Sequence, residues 1–331
     1  MAGAVLTLPV AVILGGLGYF FGSAANQRHD IELPERGMPV LAGDLSGQFA
    51  RFAHDGVPDP ERATQAFRQV APRLHGVRVL FVPSYLSDSA LPSVTLGESL
   101  GYMAGIFNWL AEAGIEAEIA AVETEDTVAA NAARLHSIVA ASDKPFCFVT
   151  QSKGGLDVLE YLRAASPVER EQVRCWIAMQ APFSGSPVAD LAVSVAGLPE
   201  TADVLLRALG GRGESLDDLT IVSRRRYLSD HAADVRAIVE DISPVCLATH
   251  IPDPGDFDRP TSWSYLALVW MHENGIPSDG LVTVRSATSI CTRSLVLPGI
   301  DHTGIVAPGA VAPVDQTSLM KILFALALSR D

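Results

Sequence analysis

The stretch Phe146-Cys147-Phe148-Val149-Thr150-Gln151-Ser152-Lys153-Gly154-Gly155 decides the fold. Its first five residues are apolar and rich in β-formers, as a parallel strand covered on both faces is. The next five change character. Small residues arrive, and Leu156, Leu159 and Leu162 then recur at helical spacing. Strand therefore passes into helix through a tight turn centred on Ser152. Such a turn strains the serine backbone and lifts its Oγ to the sheet edge, provided that small residues two places either side let strand and helix approach. Gly154 meets that demand, whereas Thr150 stands where glycine is usual and brings a β-branched side chain into the turn.

The same alternation extends outward. Val77 to Val82 reads as a strand ended by Pro83, and Leu96 to Ala113 follows with Leu100, Met103, Ile106, Phe107 and Leu110 at helical intervals. Ile115 to Val122 is the next strand and Thr127 to Ala140 the next helix. Beyond the serine, Cys175 to Gln180, Val245 to Thr249 and Ser294 to Leu297 are further strands, and Gln316 to Leu328 is a closing apolar helix. This rhythm predicts an α/β architecture, a mostly parallel central sheet flanked by helices, with ligands bound beyond the carboxyl ends of the strands. From about residue 185 to 241 the rhythm breaks into helical pieces, with Gly210-Gly211-Arg212-Gly213 as a hinge-like interruption, which reads as an insertion. The division expected is an N-terminal hydrophobic segment (1–27), a linker with a peripheral helix (28–73) and a catalytic domain (74–331).

Composition narrows the function. Hydrophobic residues make up 48% of the chain and charged residues 19%, enough apolar surface for a sheet buried on both faces. Asp and Glu outnumber Lys and Arg by 38 to 24, a formal charge of -14, and no basic run follows a phosphate backbone, which argues against nucleic acid as a partner. From Met1 to Gln27 no side chain is charged, and Val5 to Phe21 is almost continuously apolar or glycine, about the length that spans a bilayer. This implicates the membrane as a partner and a membrane-anchored or exported location at the cell envelope. An uncleaved anchor is favoured over a signal peptide because a basic n-region is missing, although Ser23-Ala24-Ala25 offers small residues for cleavage. The four cysteines, Cys147, Cys175, Cys246 and Cys291, lack metal-type spacing. Buried free thiols are the preferred reading, with Cys246 to Cys291 as the pairing open to an exported protein.

If Ser152 is a nucleophile, a histidine must take its proton and a carboxylate must orient that imidazole. Of eight histidines, His302 lies between the final strand and the last helix, which puts its loop at the same end of the sheet as Ser152. His250 is the reserve, and His54, His75, His136, His231 and His272 read as surface or helix-flank residues. Asp279, in Pro277-Ser278-Asp279-Gly280-Leu281-Val282, completes the order serine, aspartate, histidine known for such elbows, with Asp253, Asp256 and Asp258 as rivals. For an oxyanion, the backbone N–H of Lys153 is one donor, aided by the helix N-terminus, and the N–H of Ser84 or Tyr85 after the first strand is the other. The Lys153 ammonium is expected in solvent. The bland alternatives are Ser152 as a helix N-cap, His302 as a polar loop residue and Asp279 as a turn former. The chemistry needs no cofactor and no metal.

Taken together and in this order, Ser152-Lys153-Gly154-Gly155 after a strand, Gly185-Ser186-Pro187-Val188-Ala189-Asp190 after the next, Asp279-Gly280-Leu281-Val282 and Asp301-His302 resemble the bacterial triacylglycerol lipases and esterases of the α/β-hydrolase fold. The resemblance covers about Val77 to Leu328. The family's His-Gly after the first strand is Pro83-Ser84 here, and its Gly-His before the serine is Thr150-Gln151. The resemblance implies a serine hydrolase cleaving carboxylic esters or lipids through an acyl-enzyme. It also implies a lid, for which Val188 to Leu209 is the segment, an ordinary packed helix pair being the equal alternative. Two other functions fit the same residues: an acyltransferase or polyester depolymerase with the same three side chains, and a non-catalytic membrane-tethered binding protein.

Overall fold

The computed structural model describes residues 34–83, 104–196, 213–256, 263–306 and 314–329. Six strands form one sheet: β1 (Arg78–Val82), β2 (Glu116–Ile119), β3 (Phe146–Gln151), β4 (Val173–Met179), β5 (Val245–His250) and β6 (Arg293–Pro298). Every pairing is parallel, in the spatial order β2-β1-β3-β4-β5-β6. Parallel neighbours need crossovers, and these put helices on both faces. Alternate side chains consequently enter two cores. Val79, Phe81, Cys147, Val149 and Ile177 face Phe67, Leu110, Leu319 and Phe324. Leu80, Val82, Phe146, Phe148 and Trp176 face Leu135, Leu156, Leu159 and Ile238 on the other side.

The two edges are closed in different ways. At β2, whose residues are half-exposed or exposed, Arg78 pairs with Glu116 and Glu118, so charge covers the open strand. At β6, the N-terminal segment supplies a backbone cover: Ser294 N–H donates to Gly43 O at 2.7 Å and Leu45 N–H to Ser294 O at 2.9 Å. Residues 34–73 are thus more than a connection. Leu45 and Phe49 are buried in the first core, and the helix Pro60–Val70 packs along the closing helix Gln316–Leu328. Arg73 and Arg293 donate to the last carbonyls of that closing helix, at Leu328 and Leu326.

Between β4 and β5 the described part of the insertion comprises the helices Pro187–Ala196, Ile221–Asp230 and Ala232–Ile242 and the short helix Gly213–Asp217. Within the expected lid, Ala189 and Ala192 join the second core and Val188 packs against the cluster of Ala267, Met271 and Ile276; residues 197–209 lie outside the described residues. So do residues 1–33, which hold the apolar N-terminal run. Among the described residues no helix is long and apolar enough to cross a membrane.

The cysteines correct the free-thiol expectation. Cys147 and Cys175 are register partners on β3 and β4 and form a disulfide, and Cys246 on β5 is joined to Cys291 just before β6. The Cys246–Cys291 pair, at a Cα distance of 6.1 Å, is the one left open from the sequence, whereas strand register alone brings Cys147 and Cys175 to 4.6 Å. Protein denatured without reductant should therefore show no thiol to a thiol-reactive dye, and four after reduction. Four reactive thiols before reduction would contradict the pairing.

Candidate active site

The chain runs from β1 outward to β2, then returns to place β3 on the opposite side of β1. The strand order thus reverses between β1 and β3, the place where a parallel sheet offers ligands a site beyond the carboxyl ends of its strands. Ser152 follows β3 directly. Its backbone is at φ 54° and ψ -126°, a conformation an L-residue adopts only under constraint. Ser152 N–H donates to Met179 O at 2.9 Å, and Ser152 O accepts from Gly155 N–H at 3.0 Å. The helix Lys153–Ala164 begins at once, so tightly under β1 that a Cβ on Gly154 would meet the carbonyl oxygens of Val82 and Pro83.

Thr150 fits because its hydroxyl is used. It accepts from the indole N–H of Trp176 at 3.1 Å and reaches Ile177 O at 3.4 Å. The space it takes is recovered at Gly155, where a Cβ would strike Ala181.

Ser152 makes no side-chain cap to its helix, which removes the N-cap alternative. Its Oγ instead lies 2.9 Å from His302 Nε2, and His302 Nδ1 lies 2.8 Å from Asp279 Oδ2. All three are buried, with exposures of 8%, 7% and 2%. An ionised carboxylate only accepts, so Nδ1 carries the proton towards Asp279 and Nε2 is left to accept from the serine hydroxyl. Asp279 is also the turn former: its Oδ1 accepts from the N–H groups of Leu281 at 3.0 Å and Val282 at 2.8 Å. One oxygen fixes the loop while the other meets the imidazole. A backbone bond from His302 N–H to Asp279 O at 3.0 Å joins the two loops a second time. The loop after β4 docks on the same region, through Ser186 Oγ to Leu281 O at 2.6 Å and Ser286 Oγ to Gly185 O at 2.7 Å.

The rival groups lie elsewhere. Asp253 accepts from Gly255 N–H at 2.8 Å, Asp256 is exposed and its N–H donates to Asp253 O at 3.0 Å, and Asp258 lies outside the described residues. His250 is half-buried, and burial holds its pKa below the usual imidazole value. Of the expected oxyanion donors, Lys153 opens the helix, where first-turn N–H groups lack intrahelical acceptors. Ser84 and Tyr85 lie outside the described residues.

The Lys153 side chain overturns the solvent expectation. It is 1% exposed and its Nζ lies 2.9 and 3.1 Å from the two oxygens of Asp157, one helical turn on. Asn131 Nδ2 donates to the same carboxylate at 3.0 Å. Burial pushes the Asp157 pKa up to about 6, against the pull of Lys153 and Asn131. Helical spacing of lysine and aspartate was visible in the sequence, but what drives the pair inward is the packing of the helix against Asn131 on its neighbour.

Two further residues escaped the sequence reading. Gln151 ends β3 and Gln180 directly follows β4; both are almost fully buried and donate to the backbone of the His302 loop. The signal for Gln151 was its place beside Ser152. For Gln180 it was a polar residue at the end of an otherwise apolar strand.

No protein-family model matches the chain, and no curated protein does so. Solved structures do. A metagenomic carboxyl esterase superposes with a TM-score of 0.58 at 17% identity, covering 85% of this chain and 98% of that one. The mature Bacillus licheniformis lipase BlEst2 gives 0.52 at 20% identity, covering 69% and 86%. Phospholipase PlaB from Legionella pneumophila gives 0.52 at 17% identity, covering 76% and 60%. The chain has the α/β-hydrolase fold.

Removing one partner of a buried ion pair strands the other. Lys153→Met should lower unfolding stability by roughly 3–5 kcal/mol in chemical denaturation, and adding Asp157→Leu should recover most of that loss. A single variant as stable as wild type would show that the pair carries no such constraint.

Proposed function

We propose that this protein is a serine-dependent hydrolase of carboxylic esters. The observation that supports it most strongly is the unbroken line from Ser152 Oγ through His302 to Asp279 Oδ2, set on a strained turn at the carboxyl end of β3. Each neighbour has its role. Ser152 attacks the ester carbonyl carbon as His302 Nε2 takes its proton, and Asp279 holds the imidazole in register and stabilises the cation that forms. The oxyanion that develops meets the N–H of Lys153 at the positive end of a helix, with the second donor assigned to Ser84 or Tyr85. His302 then returns the proton to the leaving alkoxide. Water attacks the acyl-serine by the same route in reverse and releases the acid.

The substrate class proposed is an ester or lipid, in keeping with the carboxyl esterase, lipase and phospholipase that share the fold. A cell-envelope location, anchored or exported, is proposed with it. Two disulfides suit an oxidising compartment, and the apolar run from Val5 to Phe21 suits a membrane.

Hydrolysis of p-nitrophenyl butyrate tests the roles. Ser152→Ala should reduce kcat by about 10⁴-fold or more, and Asp279→Asn should cost about 10⁴-fold by losing the tautomer. Asp253→Asn should leave the rate within about twofold, since its carboxylate only closes a local turn. Full activity in Ser152→Ala would remove Ser152 as the nucleophile, and loss of activity in Asp253→Asn with retention in Asp279→Asn would reassign the acid.

A further inference from the structure

The imidazole of His302 can serve Ser152 only if its loop is held at a fixed distance from β3, and that loop comes from the far end of the sheet, after β6. Backbone bonds to Asp279 do not provide the hold, because Asp279 is itself on a loop. Gln151 makes the direct link to the nucleophile's own strand, and Gln180 a second link to the strand beside it.

Gln151 is the last residue of β3 and adjoins Ser152, and Gln180 stands immediately after β4 at φ 53°. Their exposures are 2% and 0%. Gln151 Nε2 donates to His302 O at 3.0 Å and to Gln180 Oε1 at 3.2 Å. Gln180 Nε2 donates to Asp301 O at 2.9 Å and to Thr249 Oγ1, on β5, at 2.6 Å. Backbone carbonyls accept only, so these contacts fix which end of each amide is nitrogen. All four amide hydrogens are then used, two of them on consecutive carbonyls of the Asp301-His302 backbone. Gln180 N–H donates to Leu247 O at 2.7 Å, which holds this unusual backbone to β5 as well. Gln151 Oε1 meets no donor among the described residues. A buried amide that leaves its acceptor unmet while satisfying both donors is oriented by what it donates to.

We propose that Gln151 and Gln180 are positioning residues that act as one unit, a bridge across the ends of β3, β4 and β5 that sets the spacing between Ser152 Oγ and His302 Nε2. The proposal rests on the hydrolase reading above. It also accounts for the glutamine in Thr150-Gln151-Ser152: the residue before the nucleophile reaches back to the base's main chain. Methionine is close to glutamine in length and volume but donates no hydrogen bond, so Gln151→Met and Gln180→Met remove the bridge while largely filling the space.

The experiment measures kcat and KM for p-nitrophenyl butyrate, with rates normalised to sites titrated by a fluorophosphonate so that only folded, reactive protein is counted. In each methionine variant kcat should fall about 10- to 100-fold, the cost of a misplaced base, with KM within about twofold because the bridge touches no substrate. The double variant should cost little more than either single change, since both break one unit. A purely structural role would lower the titrated fraction or the thermal midpoint and leave kcat per titrated site unchanged, and that result overturns the proposal. If either methionine variant yields no soluble protein, Thr249→Val, which removes only the far anchor, decides by the same measure: a several-fold fall in kcat per site supports the bridge and an unchanged value overturns it. Wild-type protein that neither hydrolyses the ester nor takes the probe would overturn the hydrolase reading itself. Active wild type with unaltered methionine variants overturns the bridge alone.

Discussion

A single residue is held where its backbone does not rest unaided. Ser152 sits at φ 54°, and a non-glycine residue there costs about 1–3 kcal/mol unless its surroundings over-determine it. Here they do so from three sides. The strand before it is paired on both edges, by β1 and β4, the helix after it is pressed beneath Val82 and Pro83 by the absence of a side chain at Gly154, and its N–H is taken by Met179. The strain has a consequence for chemistry. A serine in ordinary N-cap geometry would spend its hydroxyl on the helix, whereas this one leaves Oγ free to face His302.

The rest of the molecule can be understood as support for that turn. Two apolar cores press helices on both faces of β1 and β3, the strands between which the sheet order reverses. The polar groups inside are arranged in pairs that answer one another: Lys153 with Asp157 within the helix after Ser152, Thr150 with Trp176 on the adjacent strands, and the two glutamines toward the His302 loop. Each of these buries donors that cost free energy if unmet, so each fixes a side chain by its hydrogen bonds rather than by shape alone. The disulfides add covalent ties between β3 and β4 and between β5 and the segment just before β6.

What could be read from the sequence divides along physical lines. Strands buried on both faces, such as Phe146 to Gln151, announce themselves as apolar runs, and the serine, aspartate and histidine stand in loops whose place follows from the order of elements. The half-exposed edge strand Glu116–Ile119 is shorter than its alternating pattern suggests, because among the described residues only β1 pairs with it. Properties that depend on register or on a neighbour's packing were out of reach. Cys147 and Cys175 meet because β3 and β4 align them, and Lys153 turns inward because Asp157 and Asn131 wait there. Gln151 looked like a departure from a familiar pattern, and only the fold reveals that its amide faces the His302 carbonyl. Ser84 and Tyr85 belong to a stretch outside the described residues, so the second oxyanion donor rests on their position after β1.

The claim on which everything turns is that Ser152, and no other serine, is the activated nucleophile. Labelling the intact protein with a fluorophosphonate, digesting it and locating the adduct by mass spectrometry tests this directly. The account predicts one adduct per chain, on the peptide containing Ser152, and none when His302 is replaced by alanine. An adduct on another serine, or ester hydrolysis that persists with Ser152 unmodified, would contradict it.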